Sequence, residues 1–371
     1  MITQCLAPAK TARELWNAAI NDGARLELLL RLVQVVASHH NAGLQQRDLH
    51  LNNFLAAHEK IYTLDGAGIV QRAPGKAAAL DNLGLLFAQV EPRFDRFARE
   101  VFWRYAPARG WRLDEHDVEG LRASIARNRK RKKEKYLDKI FRDCTAFKRQ
   151  ADFWQLIIYD RAYDSPSFSK LLADPNAALQ GPLLKDGNTS TIGQITVDGR
   201  ILVVKRYNIK SLSHGLSRAF RSTRAARSWR NGHLLQLHAI TTAKAVALIE
   251  RRLGLLRSTS YFIAECVRGP NIREFLVSAS PESGKEIIQK TVDMLLALGS
   301  LNLSHGDLKA TNIVISNGEP VLLDLDAMRK HRSRLSLKRA LAHDAKRLLA
   351  NWGPQSDTYK IFEAKLRALL A

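Results

Sequence analysis

The sequence holds only three cysteines, Cys5, Cys144 and Cys266, an odd and scattered set without metal-ligand spacing. That argues against a disulfide framework or a zinc site and fits a reducing cytoplasm. It also lacks an uninterrupted apolar run near the roughly 20 residues that a bilayer crossing takes. Charged or polar residues break the best candidates, Leu26 to Ala37 and Val292 to Leu303. The amino terminus shows neither the basic start nor the apolar run of a secretory signal. Acidic residues are few, 36 against 58 lysines and arginines. What is there, 46% hydrophobic and 25% charged residues in 371, describes a soluble globular chain long enough for two domains.

The net charge of +22 is concentrated. From Arg122 to Arg149 twelve cations face three acids, Glu134, Asp138 and Asp143; from Arg200 to Arg230 nine cations face none. Such density reads either as solvated helix faces or as a surface for an anionic partner: phospholipid headgroups, phosphorylated glycolipid or nucleic acid. Aromatic residues interleaved with the basic ones, which a single-stranded nucleic-acid binder wants, are sparse apart from Trp229, so nucleic acid is the least favoured.

The chain repeats itself. Arg47-Asp48-Leu49-His50-Leu51-Asn52-Asn53, followed by Leu64-Asp65-Gly66, aligns with Gly306-Asp307-Leu308-Lys309-Ala310-Thr311-Asn312, followed by Leu323-Asp324. Asp48 and Asp307, Asn53 and Asn312, and Asp65 and Asp324 are each 259 residues apart, so three chemically demanding positions match without a gap. Each copy carries an apolar-periodic helix (Leu26 to His39; Ile287 to Leu298), a polar loop, and a short hairpin turning at His58-Glu59-Lys60 or Asn317-Gly318. A later pair, Asp81 and Asp344, is expected to open a helix in each copy.

Phosphoryl transfer asks for positioned metal ions, charge neutralisation and a base that orients the acceptor hydroxyl. The segment His305 to Asn312 matches a kinase catalytic loop: Asp307 is the expected base, Lys309 steadies the transferred group, and Asn312 binds a metal. Asp324 stands where the second metal-binding aspartate belongs, with Asp326 two places on as a further carboxylate; hard oxygens suit Mg²⁺. Upstream, Leu183 to Gln194 reads as two strands around a turn bearing Gly187 and Gly193, placed to cover phosphates. After the hairpin signal Asp198-Gly199, the strand Ile201 to Lys205 ends in the expected ATP lysine. Tyr261 to Val267 reads as the strand and hinge, with backbone groups at Glu265 and Val267 bonding adenine. Singly these signals are weak, but they stand in kinase order. The expected fold is α+β: a bilobal protein-kinase-like fold, preceded by a second, incomplete C-lobe-like helical domain. The expected domains are 1–126 (incomplete C-lobe), 127–151 (basic helix or linker), 152–267 (N-lobe) and 268–371 (C-lobe).

The segments Leu184 to Asn188, Val203 to Asn208, Arg224 to Asn231, His305 to Asn312 and Leu323 to Asp326 resemble the bacterial lipopolysaccharide core kinases, especially their InaA-type relatives. The resemblance spans about 180 to 350. It implies ATP, Mg²⁺ and phosphorylation of a sugar hydroxyl on lipid-linked core oligosaccharide, in the cytoplasm, peripherally at the inner face of the inner membrane. Three departures accompany it. Many kinases pair the strand lysine with a helix glutamate, yet no acid occurs from Arg206 to Ile249, so a partner is expected from Glu250 or beyond. Gly306 replaces the arginine that reads activation-loop phosphate, and Asp326 replaces a glycine. The first copy has His50 where Lys309 stands and only 47 residues before Asp48, too few for a lobe carrying an ATP lysine. It is expected to be inactive: either the chain begins inside a longer ancestral protein, or this lobe serves as a scaffold, substrate platform or inactive regulator. Two competing functions are an atypical protein Ser/Thr kinase, disfavoured because only 47 residues follow Asp324, and a non-catalytic adaptor at the membrane surface.

Overall fold

The computed structural model describes residues 8–58, 60–208, 222–254 and 256–370. Glu59 of the first hairpin turn and residues 209–221 of the second basic segment lie outside the described residues. The chain forms two compact units, Met1–Tyr136 and Leu137–Ala371. Among the described residues no helix is long and apolar enough to cross a membrane.

The first unit is mainly helical. Helix α1 (Ala12–Ala18) follows strand β1 (Lys10–Thr11), and α2 (Asp22–Asn41) starts where Asn21 Oδ1 accepts from the Ala24 N–H. The buried face of α2 carries Leu28, Leu29, Leu32, Val33, Val36 and Ala37 at helical spacing. Strands β2 (Leu44–Gln46), β3 (Phe54–Ala57), β4 (Lys60–Thr63) and β5 (Ile69–Gln71) form two small antiparallel pairings, β2 with β5 and β3 with β4. Helices α3 (Lys76–Phe87) and α4 (Ala98–Ala108) help enclose a core around Trp16 and Phe94, whose rings meet edge to face at 4.8 Å. The basic run 127–135 lies within α5 (Glu115–Lys139), whose last turn contains the division between the units.

In the second unit, seven antiparallel strands form one sheet: β6 (Phe147–Ala151), β7 (Gln155–Asp160), β8 (Leu183–Gly187), β9 (Ser190–Val197), β10 (Arg200–Tyr207), β11 (Ala245–Leu253) and β12 (Leu256–Glu265), in the order β6-β7-β11-β12-β10-β9-β8. Residues 147–151, read from sequence as the end of a linker, are thus an edge strand. Asp198 and Gly199 both take positive φ, +50° and +75°, as a two-residue hairpin demands. Period-two alternation gives β10 two faces. Leu202 and Val204 pack with Phe168, Leu171 and Leu172 of α6 (Pro166–Ala173) and with Ala178. Lys205 and Tyr207 point the other way, where the Tyr207 hydroxyl meets Ser228 Oγ, 2.9 Å, on α7 (Arg224–Leu237).

The helical remainder comprises α8 (Ile272–Ser278), α9 (Pro281–Ser300), α10 (Arg334–Leu349) and α11 (Asp357–Leu370), with strand pairs β13 (Leu303–Ser304) to β16 (Arg329–Lys330) and β14 (Ile313–Ser316) to β15 (Glu319–Leu322). The 259-residue spacing extends beyond the motif. It relates α2 to α9 end for end, His58 (φ +47°) to Asn317 (φ +52°), and Asp65 (φ +60°) to Asp324 (φ +59°). Asp81 and Asp344 open no helix: they lie inside α3 and α10.

Candidate active site

Lys205 stands on β10, largely buried, and its Nζ donates to Asp324 Oδ1 and lies 3.9 Å from Asp326 Oδ2. Among the described residues no carboxylate from the helix that follows β10 takes part; Glu250, the nearest acid expected, instead accepts from Thr223 Oγ1 at 2.7 Å and lies 3.5 Å from Arg257. The partner of the strand lysine is therefore Asp324, 119 residues on. Burial alone would raise the Asp324 carboxyl, but the Lys205 ammonium, by its charge and its hydrogen bond, holds it below the usual range. Asp326 goes the other way. Burial pushes its carboxyl up and the Asp324 charge adds to this, against the pull of Lys205 and Arg224.

Sequence reading left Arg224 without a role. It is the first residue of α7, and its Nε and Nη2 contact Asp326 Oδ2 at 2.7 and 2.6 Å. Its Nη1 donates to the Thr189 carbonyl at 3.3 Å, and its guanidinium lies over the Tyr207 ring, 4.8 Å from the centroid. The helix thus supplies a cation where many kinases supply a carboxylate. Asp326, expected as a metal ligand, is taken up by that cation.

The residues of the expected catalytic loop, His305 to Asn312, are held by one another and by α10. Asn312 Nδ2 donates to the Asp307 carbonyl at 2.8 Å, and the Leu323 N–H donates to the Asn312 carbonyl, also at 2.8 Å. The His305 and Gly306 N–H groups donate to the two oxygens of buried Asp344, at 2.7 and 2.9 Å. His305 Nε2 bonds the Leu323 carbonyl at 2.9 Å, which ties the loop to the segment bearing Asp324 and gives this histidine a structural part. Gly306 has φ +81°, and a Cβ there would lie 2.7 Å from the Ala327 carbonyl oxygen, so glycine is required. The Asp307 carboxylate faces Arg347 Nη2 at 2.5 Å and Lys309 Nζ at 3.4 Å.

Gly187 and Gly193 differ in place. Gly187 ends β8 beside the Asn188-Thr189 turn, where its carbonyl accepts from Asn208 Nδ2 at 3.3 Å. Gly193 sits inside β9 opposite Val204, on the face away from Lys205, and a Cβ there would lie 2.0 Å from the Ala178 carbonyl oxygen. Its missing side chain is explained by the chain's own backbone. At the expected hinge, the Glu265 N–H donates to Lys244 O and the Cys266 N–H to Ile201 O, both at 2.9 Å, while the Glu265 carboxylate accepts from the Tyr163 hydroxyl. Both N–H groups are engaged within the sheet region, and Val267 follows them.

The first copy keeps the loop but not its surroundings. Asn53 Nδ2 donates to the Asp48 carbonyl at 3.1 Å and the Leu64 N–H to Asn53 O at 2.7 Å, matching the second copy bond for bond. Asp81 accepts from Ser124 and Asn128, while its neighbour Asn82 reaches the loop through the Gln46 carbonyl. Among the described residues Asp65 forms no ion pair.

The family model described as Lipopolysaccharide kinase (Kdo/WaaP) family matches residues 176–370. Among solved structures, the chain is similar to WaaP in complex with acyl carrier protein, at 17% identity and a TM-score of 0.41, covering 55% of this chain and 87% of that one. No curated protein matches it.

Proposed function

This chain belongs to the lipopolysaccharide kinase (Kdo/WaaP) family, and from that premise we propose that it transfers the terminal phosphoryl group of ATP to a sugar hydroxyl of lipopolysaccharide core or a related glycolipid. The observation that carries the reading is the meeting of the Lys205 amine with the Asp324 carboxylate beside a loop that ties Asn312 to Asp307. A lysine and a carboxylate that meet in this way are placed to exchange each other for a nucleotide phosphate and its metal. The donor set fits Mg²⁺: the Asp324 carboxylate and the Asn312 amide oxygen are hard ligands, and the Asn312 amide nitrogen is already committed to Asp307. When bound, the magnesium nucleotide supplies the phosphoryl group and neutralises its charge. Lys205 pairs with phosphate oxygens, Gly187 and the turn after it cover them, and backbone near Glu265 and Val267 bonds the base. Asp307 receives or orients the proton of the acceptor hydroxyl, and Lys309 steadies the group in flight.

The first unit reads as an incomplete C-lobe-like copy, supported by the shared spacing and loop bonds, with His50 in place of Lys309 and without the ion pair at Asp65. It serves as a scaffold or regulator. The chain works in the cytoplasm at the inner face of the inner membrane, where its net positive charge favours an anionic glycolipid. Transfer of label from γ-labelled ATP to purified core oligosaccharide tests the reading. Asp307→Ala abolishes labelling if the second unit is catalytic; labelling that survives this change, or that the native chain never shows, sinks it.

A further inference from the structure

The two oxygens of the Asp307 carboxylate are held unequally. Arg347 Nη2 lies 2.5 Å from Oδ1, while Lys309 Nζ lies 3.4 Å from Oδ2, past the range of a well-made hydrogen bond. The main chain of Asp307 is already pinned. Its N–H donates to His305 Nδ1 at 3.3 Å, its carbonyl accepts from Asn312 Nδ2 at 2.8 Å, and the two preceding N–H groups are those that Asp344 holds. What is left to fix is the rotation of the side chain, and on it Arg347 makes the closer of the two contacts.

Arg347 reaches the loop from a firmly seated helix. It stands three residues after Asp344 on α10, so the two side chains share a face. Its neighbours Ala345 and Leu348 are fully buried. Asn351 Nδ2 closes the end of the helix by donating to the carbonyls of Arg347 and Leu348 at 3.0 and 2.7 Å. The Asp344 carboxylate is engaged by the loop backbone, and among the described residues Asp307 is the carboxylate that pairs with the guanidinium. A planar guanidinium fork also loses less freedom per bond than the flexible ammonium of Lys309. Helix α10 thus grips the loop twice, by its backbone through Asp344 and by its acid through Arg347.

We propose that Arg347 is a positioning residue for phosphoryl transfer: its hold on Oδ1 turns Oδ2 towards the acceptor hydroxyl, and Lys309, the looser cation, leaves Oδ2 for the transferred group. The proposal rests on the kinase reading and adds to it which oxygen is the base. As the acceptor oxygen bonds to the γ-phosphorus and the bond from that phosphorus to the bridging oxygen of ADP breaks, the hydroxyl proton passes to Oδ2.

Transfer of label from γ-labelled ATP to purified core oligosaccharide is followed in the full chain and in Arg347→Ala, Arg347→Lys and Lys346→Ala, the last removing an exposed cation from the same helix. Arg347→Ala is expected to lower kcat by about 100-fold, the cost of a misplaced base, and to leave KM for ATP within about twofold of the native value. Arg347→Lys, or millimolar guanidinium added to Arg347→Ala, is expected to recover about tenfold of that loss, and Lys346→Ala to match the native chain. An unchanged kcat, a loss confined to KM, or a rate that neither lysine nor guanidinium raises overturns the proposal. Crystal structures of the native chain and of Arg347→Ala supply a readout that does not depend on turnover: the Asp307 carboxylate is expected to leave its native rotamer once the guanidinium is gone. A carboxylate that stays in place overturns the positioning role. One that moves, in a chain that labels no sugar, upholds the grip of Arg347 on Asp307 while the kinase reading falls.

Discussion

Replacing Arg224 by alanine strips the guanidinium from a carboxylate that has little water to turn to. The Asp326 side chain is 5% exposed and Arg224 33%, with two nitrogen contacts at 2.7 and 2.6 Å. Breaking a fully buried pair costs about 3–5 kcal/mol; discounted for solvent at the arginine, Arg224→Ala should cost about 2–3 kcal/mol near neutral pH. The sign with pH follows from Asp326. Burial raises its folded pKa above the unfolded one, so its contribution to stability is fully present below the ordinary carboxylate range and is lost as pH rises through the folded pKa. Loss of Arg224 raises that pKa further, so the deficit of the alanine variant should shrink as the solution is acidified and Asp326 takes a proton. Asp326→Asn should cost less, because it removes the repulsion from Asp324 along with the attraction to Arg224. The double variant should then fall short of the sum of the singles by about 1–2 kcal/mol, the signature of direct coupling. Because the chain has two units, hydrogen exchange of the α7 amides is the appropriate readout rather than a single global transition. Strict additivity of the two changes, or a deficit that grows in acid, refutes the reasoning.

Lys205→Met should leave Asp324 and Asp326 facing each other without an ammonium, costing about 2–4 kcal/mol at pH 7. Asp324 is held low by Lys205, a contribution lost as pH falls through the folded pKa, so unfolding curves of the variant and the native chain should converge in acid. Gly193→Ala should destabilise the sheet by about 1–3 kcal/mol, since the methyl meets backbone of Ala178 rather than a movable side chain, and the affinity for ATP should fall no more than the folded fraction does. Isothermal titration at a temperature where the variant is folded checks this, and a selective loss of nucleotide would place Gly193 at the phosphates after all. In the first unit, buried His40 lies between the Tyr105 hydroxyl at 2.6 Å and the Asn82 amide oxygen at 2.9 Å. Burial lowers its pKa to about 4 and raises that of Tyr105 to about 12. The folded state resists protonating this imidazole, so stability should fall by about 2 kcal/mol as pH drops from 6.5 towards 4, and His40→Gln should flatten that limb in urea titrations of the full chain.

The polar loops were legible because few residue types can do their work and their spacing is rigid. An aspartate, an amide five residues on and a second aspartate twelve later recur at one offset, and the structure gives both copies the same loop bonds and the same left-handed aspartate. The strand ending at Lys205 and the Asp198-Gly199 turn were equally plain, as each is a local property. The Arg224–Asp326 pair was not. It joins residues 102 apart, and an arginine in an arginine-rich helix carries no mark of which carboxylate it meets. Asp344 was singled out but given the wrong part, for a related reason: it holds two backbone N–H groups from within a helix, a place where sequence patterns expect solvent or core. Gly193 is the instructive case, since the information was available. A two-residue hairpin at Asp198-Gly199 fixes the register of β9 on β10, and counting outward from it sets Gly193 opposite Val204 and Ile192 opposite Lys205. A residue across from Val204 points away from the lysine face. A glycine there answers to whatever packs behind the sheet, and a phosphate held in front of it does not require one.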